Sequence, residues 1–192
     1  IVVCATKGIL EGTNQLMSEV LLSNVPWLTE NKMVAFSGPS HAEEVSRHIL
    51  TAIVAACVNE ESAKLVQKVM SCSYLRVYSS TDIVGVELCG SVKNVIAIAS
   101  GVLYGLEASG KYKIGDNTRA ALLTRGQAEM CRLGKALGAK SETFAGLAGM
   151  GDLIVTCLSQ HSRNRYVGEH IGRGETIEQV LAGMKMVAEG VP

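Results

Sequence analysis

One lysine stands in the middle of the most apolar stretch of this chain, Gly85-Val-Glu-Leu-Cys-Gly-Ser-Val-Lys-Asn-Val-Ile-Ala-Ile-Ala-Ser-Gly-Val-Leu103. On a helix, Gly90, Lys93, Asn94, Ala97 and Gly101 share a face, because residues three and four apart are neighbours. Small residues around an amine and an amide leave room for a ligand or for another backbone. An amine placed there loses solvation, which disfavours its charged form and moves it toward the range useful for proton transfer. The plain alternative is a lysine whose ammonium reaches water past its small neighbours.

Two further polar groups interrupt the apolar second half. Asp152 and Thr156 are four residues apart, so one helix face carries a carboxylate and a hydroxyl among Leu153, Ile154, Val155 and Cys157. A buried carboxylate needs a cationic or donor partner, and Lys93 is the obvious one; the alternative is a helix cap after Gly151. Ser162-Arg-Asn-Arg165 offers two guanidiniums and two neutral donors, and arginine forks suit phosphate oxygens, unless the segment is a solvated turn. In the first half, Lys7 follows an apolar strand, where open α/β sheets bind ligands, or is a solvated loop lysine. After a second strand, Gly38-Pro-Ser40 leads to Glu43. That spacing predicts a helix capped by Ser40, either an ordinary capped helix or a set of free N–H groups for a phosphate or ribose oxygen. Amine, carboxylate and phosphate-type arginine together describe an acid/base site for a small phosphorylated alcohol or ketone.

The elements that must hold these groups fall into two kinds. Strands are predicted at Ile1–Ala5, Met33–Ser37, Ala52–Val58 and Leu75–Tyr78, with helices at Thr13–Leu22 and Glu60–Cys72 between them. Ile1–Ala5 reads as a buried strand, and Thr13 or Asn14 as the cap of the first helix. From residue 82 onward no strand is predicted. The central helix is followed by a polar loop at Glu107–Gly115 and a long helix at Thr118–Ala136. A further helical segment from Ser141 runs into the Gly146–Cys157 stretch, and a last helix pair lies near Arg165–Ile171 and Thr176–Ala182. The boundary falls near residues 82–86, between an α/β piece and an all-helical piece.

Composition narrows the function. Eighteen basic residues balance eighteen acidic ones, which gives no electrostatic case for nucleic acid or an anionic membrane. No uninterrupted apolar run reaches membrane-spanning length. The 4% aromatic and 47% hydrophobic content, with 20 glycines, suits closely packed helices and buried parallel strands. Six scattered cysteines lack metal-ligand spacing, so no metal site is expected, and they read as small buried hydrophobes in a reducing compartment.

Taken in order, Ala5-Thr-Lys-Gly8, Ser37-Gly-Pro-Ser40, Gly85-Val-Glu-Leu-Cys-Gly-Ser-Val-Lys-Asn94, Leu123-Thr-Arg-Gly126, Gly146-Leu-Ala-Gly-Met-Gly-Asp152 and Ser162-Arg-Asn-Arg165 resemble the bacterial-type NAD(P)-dependent glycerol-3-phosphate dehydrogenase family. The resemblance covers the whole chain. It implies an α/β fold: residues 1–83 as the tail of a Rossmann-like dinucleotide-binding domain, and 84–192 as an all-α substrate domain. It implies hydride transfer between NAD or NADP and dihydroxyacetone phosphate, giving sn-glycerol 3-phosphate for glycerophospholipid synthesis in the cytoplasm. A homodimer stays open.

By the same resemblance Lys93 is the general acid/base, Asp152 and Lys7 orient and polarise, and Asn94 and Thr156 support them. Gly38, Ser40, Ser162, Arg163 and Asn164 hold the substrate with Lys7, Lys93 and Asp152, while Lys7, Ala42, Arg163, Val187 and Glu189 meet the dinucleotide. The family's Gly-x-Gly-x-x-Gly loop has no match here, so the expectation is an internal stretch of the enzyme with little activity and weak cofactor binding on its own. The segment Glu107–Asp116 is longer than the family leads one to expect. The rival readings are a related dehydrogenase of the β-hydroxyacid or 6-phosphogluconate type, whose substrate carries a carboxylate, and a non-catalytic helical interaction domain.

Overall fold

Short runs of small and β-branched residues make the sheet of the first half. The computed structural model describes residues 1–184, 188, 190 and 191. Its four strands, β1 (Val2–Cys4), β2 (Met33–Ser37), β3 (Thr51–Ala56) and β4 (Leu75–Ser80), lie in the order β1-β2-β3-β4. Val3 pairs with Val34 in parallel, Phe36 with Ala55 antiparallel, and Ile53 with Val77 in parallel. The sheet is thus mixed, and the short return from β2 to β3 is what permits the antiparallel step. Helix α3 (Glu60–Met70) crosses from β3 to β4, started by Asn59, whose side chain accepts from the N–H groups of Glu61 and Ser62. Its Ala63 and Val66 close a core with Val34, Ile53 and Val77.

The second half is built on α4 (Ile83–Ala108). Asp82 begins it: one carboxylate oxygen accepts from Gly85 N at 3.0 Å and the other from Lys140 N at 2.9 Å and from the Thr143 hydroxyl. One buried side chain therefore caps α4 and fastens α6 (Ser141–Ala145) to it. Around α4 pack α5 (Asp116–Ala136), α7 (Asp152–Leu158) and α8 (Arg163–Arg173), while α9 (Ile177–Gly183) packs on α8. Val86, Leu88, Cys89 and Ala97 of α4 share one core with Met130, Phe144, Leu153 and Cys157. By length and composition α4 could cross a membrane, but 56% of its apolar window is buried inside the protein, so a core position accounts for its composition. The backbones of α4 and α8 pack directly against each other. A Cβ on Gly101 would meet Arg165 O at 2.0 Å, and one on Gly168 would meet Ile98 O at 1.9 Å; only glycine lets the two backbones touch.

Several elements differ from the sequence expectation. The helix expected from Thr13 starts at Met17 (α1, Met17–Asn24), because residues 9–16 fold into a tight turn closed by an Ile9–Leu16 bridge. Ser40 caps nothing: its hydroxyl donates to Gly38 O, and the following helix α2 is the single turn Ala42–Val45 begun by His41. The expected loop at Glu107 is instead the last turn of α4. β1 lies at an edge of the described sheet with Val3 exposed, and Val95 of α4 is exposed too. Between α6 and α7 the chain makes a π turn over Leu147–Gly151, a form met often at functional sites.

The cysteines are free thiols, buried at 57, 89 and 157 but exposed at 72, so Cys72 departs from the reading as a buried hydrophobe. Burial pushes the Cys157 thiol up to about 12, with the Lys93 charge pulling the other way, and raises Cys89 as well. A hydrogen bond from the Tyr74 backbone pulls Cys72 down. The thiolate is the reactive form. At pH 8, iodoacetamide is therefore expected to label Cys72 at least about tenfold faster than Cys157, read by peptide mass spectrometry. Comparable rates would mean that the helical core opens readily.

Candidate active site

Between the two halves lies a cavity of about 320 Å³, walled by Lys7 and the β2–α2 turn on one side and by α4, α7 and the start of α8 on the other. Its floor is a chain of charged contacts. Asp152, 2% exposed, pairs with Lys7 Nζ at 2.8 Å through Oδ2 and with Lys93 Nζ at 3.0 Å through Oδ1. Lys93 Nζ also donates to Thr156 Oγ1 at 2.6 Å, and Thr156 is tied back to Asp152 O at 2.6 Å. The four-residue spacing on α7 permits that last contact, since a threonine hydroxyl in a helix can donate to the carbonyl one turn before it. Lys7 donates in addition to Gly38 O at 3.1 Å.

Local sequence explains each placement. Lys93 and Asn94 face the cavity, one turn on from Gly90, which meets Lys7. Gly90 gives Lys7 its berth: a Cβ there would stand 3.1 Å from Lys7 Cγ and 3.0 Å from Ser37 Oγ. Gly38 has φ +152°, and a Cβ on it would lie 3.1 Å from Ile53 Cα, so the turn that aims its carbonyl at Lys7 needs glycine. Ser162 starts α8 by accepting from Arg165 N at 3.2 Å, which sets Arg163 and Asn164 on the cavity wall.

The structure brings together Lys7, Ser40, Ala42, Lys93, Asn94, Asp152, Thr156, Ser162, Arg163 and Asn164 around the cavity. Gly38 stands behind it, acting through Lys7 and Ser40. Val187 and Glu189 lie outside the described residues. Arg165, which the sequence pattern groups with Arg163, turns away. It stacks on Tyr104 at 3.9 Å, donates to Leu158 O at 3.0 Å and pairs with Glu169, because residues two apart on a helix point to opposite sides. The Lys93 alternative of a water-reaching amine is not what is seen, for its side chain is buried against Asp152, and Asp152 does not cap α7. The residues that sequence reasoning missed are His41 and His161, whose rings meet edge to face at 6.0 Å at the rim.

The site's chemistry is that of an anion receiver with a proton donor. Among the described residues of the wall, the bases Lys7, Lys93 and Arg163 stand with two carboxylates, Asp152 and Glu43. Asn164 Oδ1 accepts from Gly190 N at 2.9 Å, which leaves its amide hydrogens for a ligand oxygen. Among the described residues, Asn94 Oδ1 and His41 Nε2 are buried without a hydrogen-bond partner, a state proteins rarely tolerate unless something else completes it. A ligand reaching this wall could complete both: Asn94 Oδ1 takes a hydrogen, and His41 Nε2 gives or takes one according to its tautomer, groups that a dinucleotide's hydroxyls and amide would supply. A larger hollow of about 750 Å³ lies beside β4, but Lys68, Cys72 and Arg76 along it are exposed and no buried charged group organises it among the described residues.

Comparison with known proteins agrees with this geometry. Residues 1–63 match the profile of the NAD-dependent glycerol-3-phosphate dehydrogenase N-terminus, and residues 82–192 that of the C-terminus of the same family. Proteins named glycerol-3-phosphate dehydrogenase [NAD(P)+] from Pelodictyon phaeoclathratiforme and Chlorobium limicola are 52% and 53% identical over 191 residues, all of this chain and 56% of each relative. The chain thus spans about half the length of the curated relatives it matches. The crystal structure of glycerol-3-phosphate dehydrogenase from Coxiella burnetii superposes with a TM-score of 0.89 at 40% identity, covering 98% of this chain and 55% of that one. The yeast enzyme GPD1 superposes at 0.82 with 25% identity, over 98% of this chain and 55% of its own. With both family halves matched in their order, and a Rossmann-like α/β piece leading into a helical one, the chain belongs to the NAD-dependent glycerol-3-phosphate dehydrogenase family.

Proposed function

We infer that the protein containing this chain reduces dihydroxyacetone phosphate to sn-glycerol 3-phosphate, reversibly, with NADH or NADPH, and that it does so in the cytoplasm to feed glycerophospholipid synthesis. Residues 1–83 serve the dinucleotide and 84–192 the substrate. The observation that carries this reading is the buried Lys7–Asp152–Lys93–Thr156 chain at one wall of a cavity that Arg163 and Asn164 also line.

The dinucleotide supplies the hydride. Lys93 gives its proton to the carbonyl oxygen as the alkoxide forms, and takes it back in the reverse direction. Asp152 holds Lys93 and Lys7 at fixed distances, so two positive charges are in place before charge develops on the substrate oxygen. Thr156 accepts from Lys93 and narrows the directions in which that amine can donate. Ser162, Arg163 and Asn164 hold the phosphate, Arg163 with a fork suited to two of its oxygens, and Ser40 and Asn94 complete the wall. Lys7, Ala42 and Arg163 stand where the dinucleotide meets the substrate.

The test is NADPH oxidation by the full-length enzyme with dihydroxyacetone phosphate, beside its Lys93→Ala variant. We expect turnover in the first and a fall in kcat of at least about a thousandfold in the second, read at a temperature where circular dichroism shows the variant folded. Turnover only with a carboxylated ketone would transfer the site to the hydroxyacid class. No turnover by the folded full-length enzyme with either class would reject a dehydrogenase role.

A further inference from the structure

Glu87 is a buried carboxylate, 7% exposed, that the chemistry above does not use. It lies on α4 one turn before Gly90 and under the first turn of α1, where Ser18 N donates to Oε1 at 2.8 Å and the Ser18 hydroxyl donates to Oε2. Burial raises this carboxyl above its ordinary range, and the two Ser18 bonds work against that rise. Burying a charge-bearing group in a core helix is costly unless its contacts return something. What they return is visible on the other side of α1.

The chain between Lys7 and Ser18 is a closed unit. Ile9 bridges to Leu16, Leu10 N donates to Gln15 O at 2.9 Å, and Asn14 N donates to Leu10 O at 2.9 Å. Leu16 N donates to Glu19 at 2.8 Å, and the Leu16 side chain enters the core that contains Val86. Fixing Ser18 therefore fixes Leu16, and fixing Leu16 fixes Ile9, two residues after Lys7. Gly90, on the same face of α4 as Glu87, supports the Lys7 stem from below. Both ends of the Lys7 segment thus rest on neighbouring turns of the helix that carries Lys93.

We propose that Glu87 is a positioning residue for Lys7: through Ser18 and the 9–16 turn it sets where the Lys7 ammonium stands relative to Asp152 and Lys93. The proposal rests on the reading of Lys7 as a residue that orients the substrate. Its competitor is a Glu87 that only stabilises the fold.

The experiment uses the full-length enzyme with Glu87→Ala, Glu87→Gln and Ser18→Ala, each alone and with Lys7→Ala. Glu87→Ala is expected to lower kcat about tenfold, since misplacing a reacting group by a fraction of an ångström costs that order. Glu87→Gln keeps an acceptor for Ser18 N and a donor for its hydroxyl, and is expected within about twofold of wild type. In the Lys7→Ala background, Glu87→Ala is expected to add less than about twofold, because residues acting through one another do not multiply. Where Glu87→Ala does not fold, Ser18→Ala replaces it, with an expected loss of about threefold that also vanishes without Lys7.

Amide exchange at Leu10 and Asn14 reads the same clamp without turnover and is expected to speed up in Glu87→Ala, or in Ser18→Ala, but not in Glu87→Gln. Multiplying effects of the Glu87 and Lys7 variants, or unchanged exchange in this turn, would overturn the proposal. Faster exchange in an enzyme that reduces no phosphorylated ketone would sink the reading of the site and leave the clamp standing.

Discussion

Replacing Asp152 with alanine is expected to destabilise the protein by about 3–5 kcal/mol, the range found when one partner of a buried ion pair is removed, and to lower kcat in the full-length enzyme by at least about a thousandfold. The reason lies in what is left behind. Asp152 is the counter-charge for two ammonium groups at 2.8 and 3.0 Å. Lys7 keeps 18% of its side-chain surface in water and can swing outward, but Lys93, at 6%, cannot. The stability loss thus falls mainly on Lys93, and a second change should remove most of it. Pairing Asp152→Leu with Lys93→Met replaces the buried ions by apolar groups of similar size, which is often neutral. Urea midpoints are expected to rank wild type near the double variant and both well above Asp152→Ala. A single variant within about 1 kcal/mol of wild type would mean that water reaches Lys93 and that the pair is not a sealed one.

The pairing of Lys93 with Asp152 was legible because Lys93 is the one base of its apolar helix and Asp152 the one charge of α7, and buried charges need partners. Apart from the family resemblance, Lys7 was legible only as a lysine at a strand end. Its contact with Asp152 joins residues far apart in sequence, and no local pattern encodes that. The Arg163–Arg165 pair shows the opposite fault: the helical spacing was in view and already placed the two guanidiniums on different sides, while composition suggested one phosphate clamp. The Ser40 cap failed because Gly38, at φ +152°, turns its carbonyl toward the Ser40 hydroxyl and takes the hydrogen bond that a cap would have made. The strand and helix order was readable from periodicity, whereas the antiparallel step between β2 and β3 depends on how the 38–50 segment folds back. The π turn before Asp152 left no trace in the apolar pattern, although its two glycines stand out and a Cβ on Gly149 would lie 2.2 Å from Phe144 O.

The glycines of α4 and α8 were also present in the sequence, as Gly101 with Gly105 and Gly168 with Gly172, each pair four apart. Spacing of this kind puts a strip of bare backbone on one helix face and lets two helices approach closely, a logic best known from membrane helices. Gly101→Ala tests it against an opposing term. Alanine is the better helix former by about 1 kcal/mol, so without crowding the variant would be more stable. Here the new Cβ would lie 2.0 Å from Arg165 O and 2.8 Å from Glu169 N, both backbone atoms that cannot rotate aside. Relief requires α8 to shift by more than about an ångström, and overpacking of that sort costs about 3 kcal/mol or more. The clash wins, and a net loss of about 2 kcal/mol or more in urea unfolding is expected. The displacement should also reach the site, because α8 begins with Arg163 and Asn164 while α4 carries Lys93. KM for dihydroxyacetone phosphate in the full-length enzyme is expected to rise by about tenfold or more, since the phosphate end of the site moves away from the proton donor. Gly183→Ala is the control: nothing among the described residues lies within 4 Å of its added Cβ, and it should leave both stability and KM unchanged or slightly improve the former. A Gly101→Ala variant as stable as this control would show that α4 and α8 are not locked by their backbones, and that Arg163 owes its place to the Ser162 cap alone.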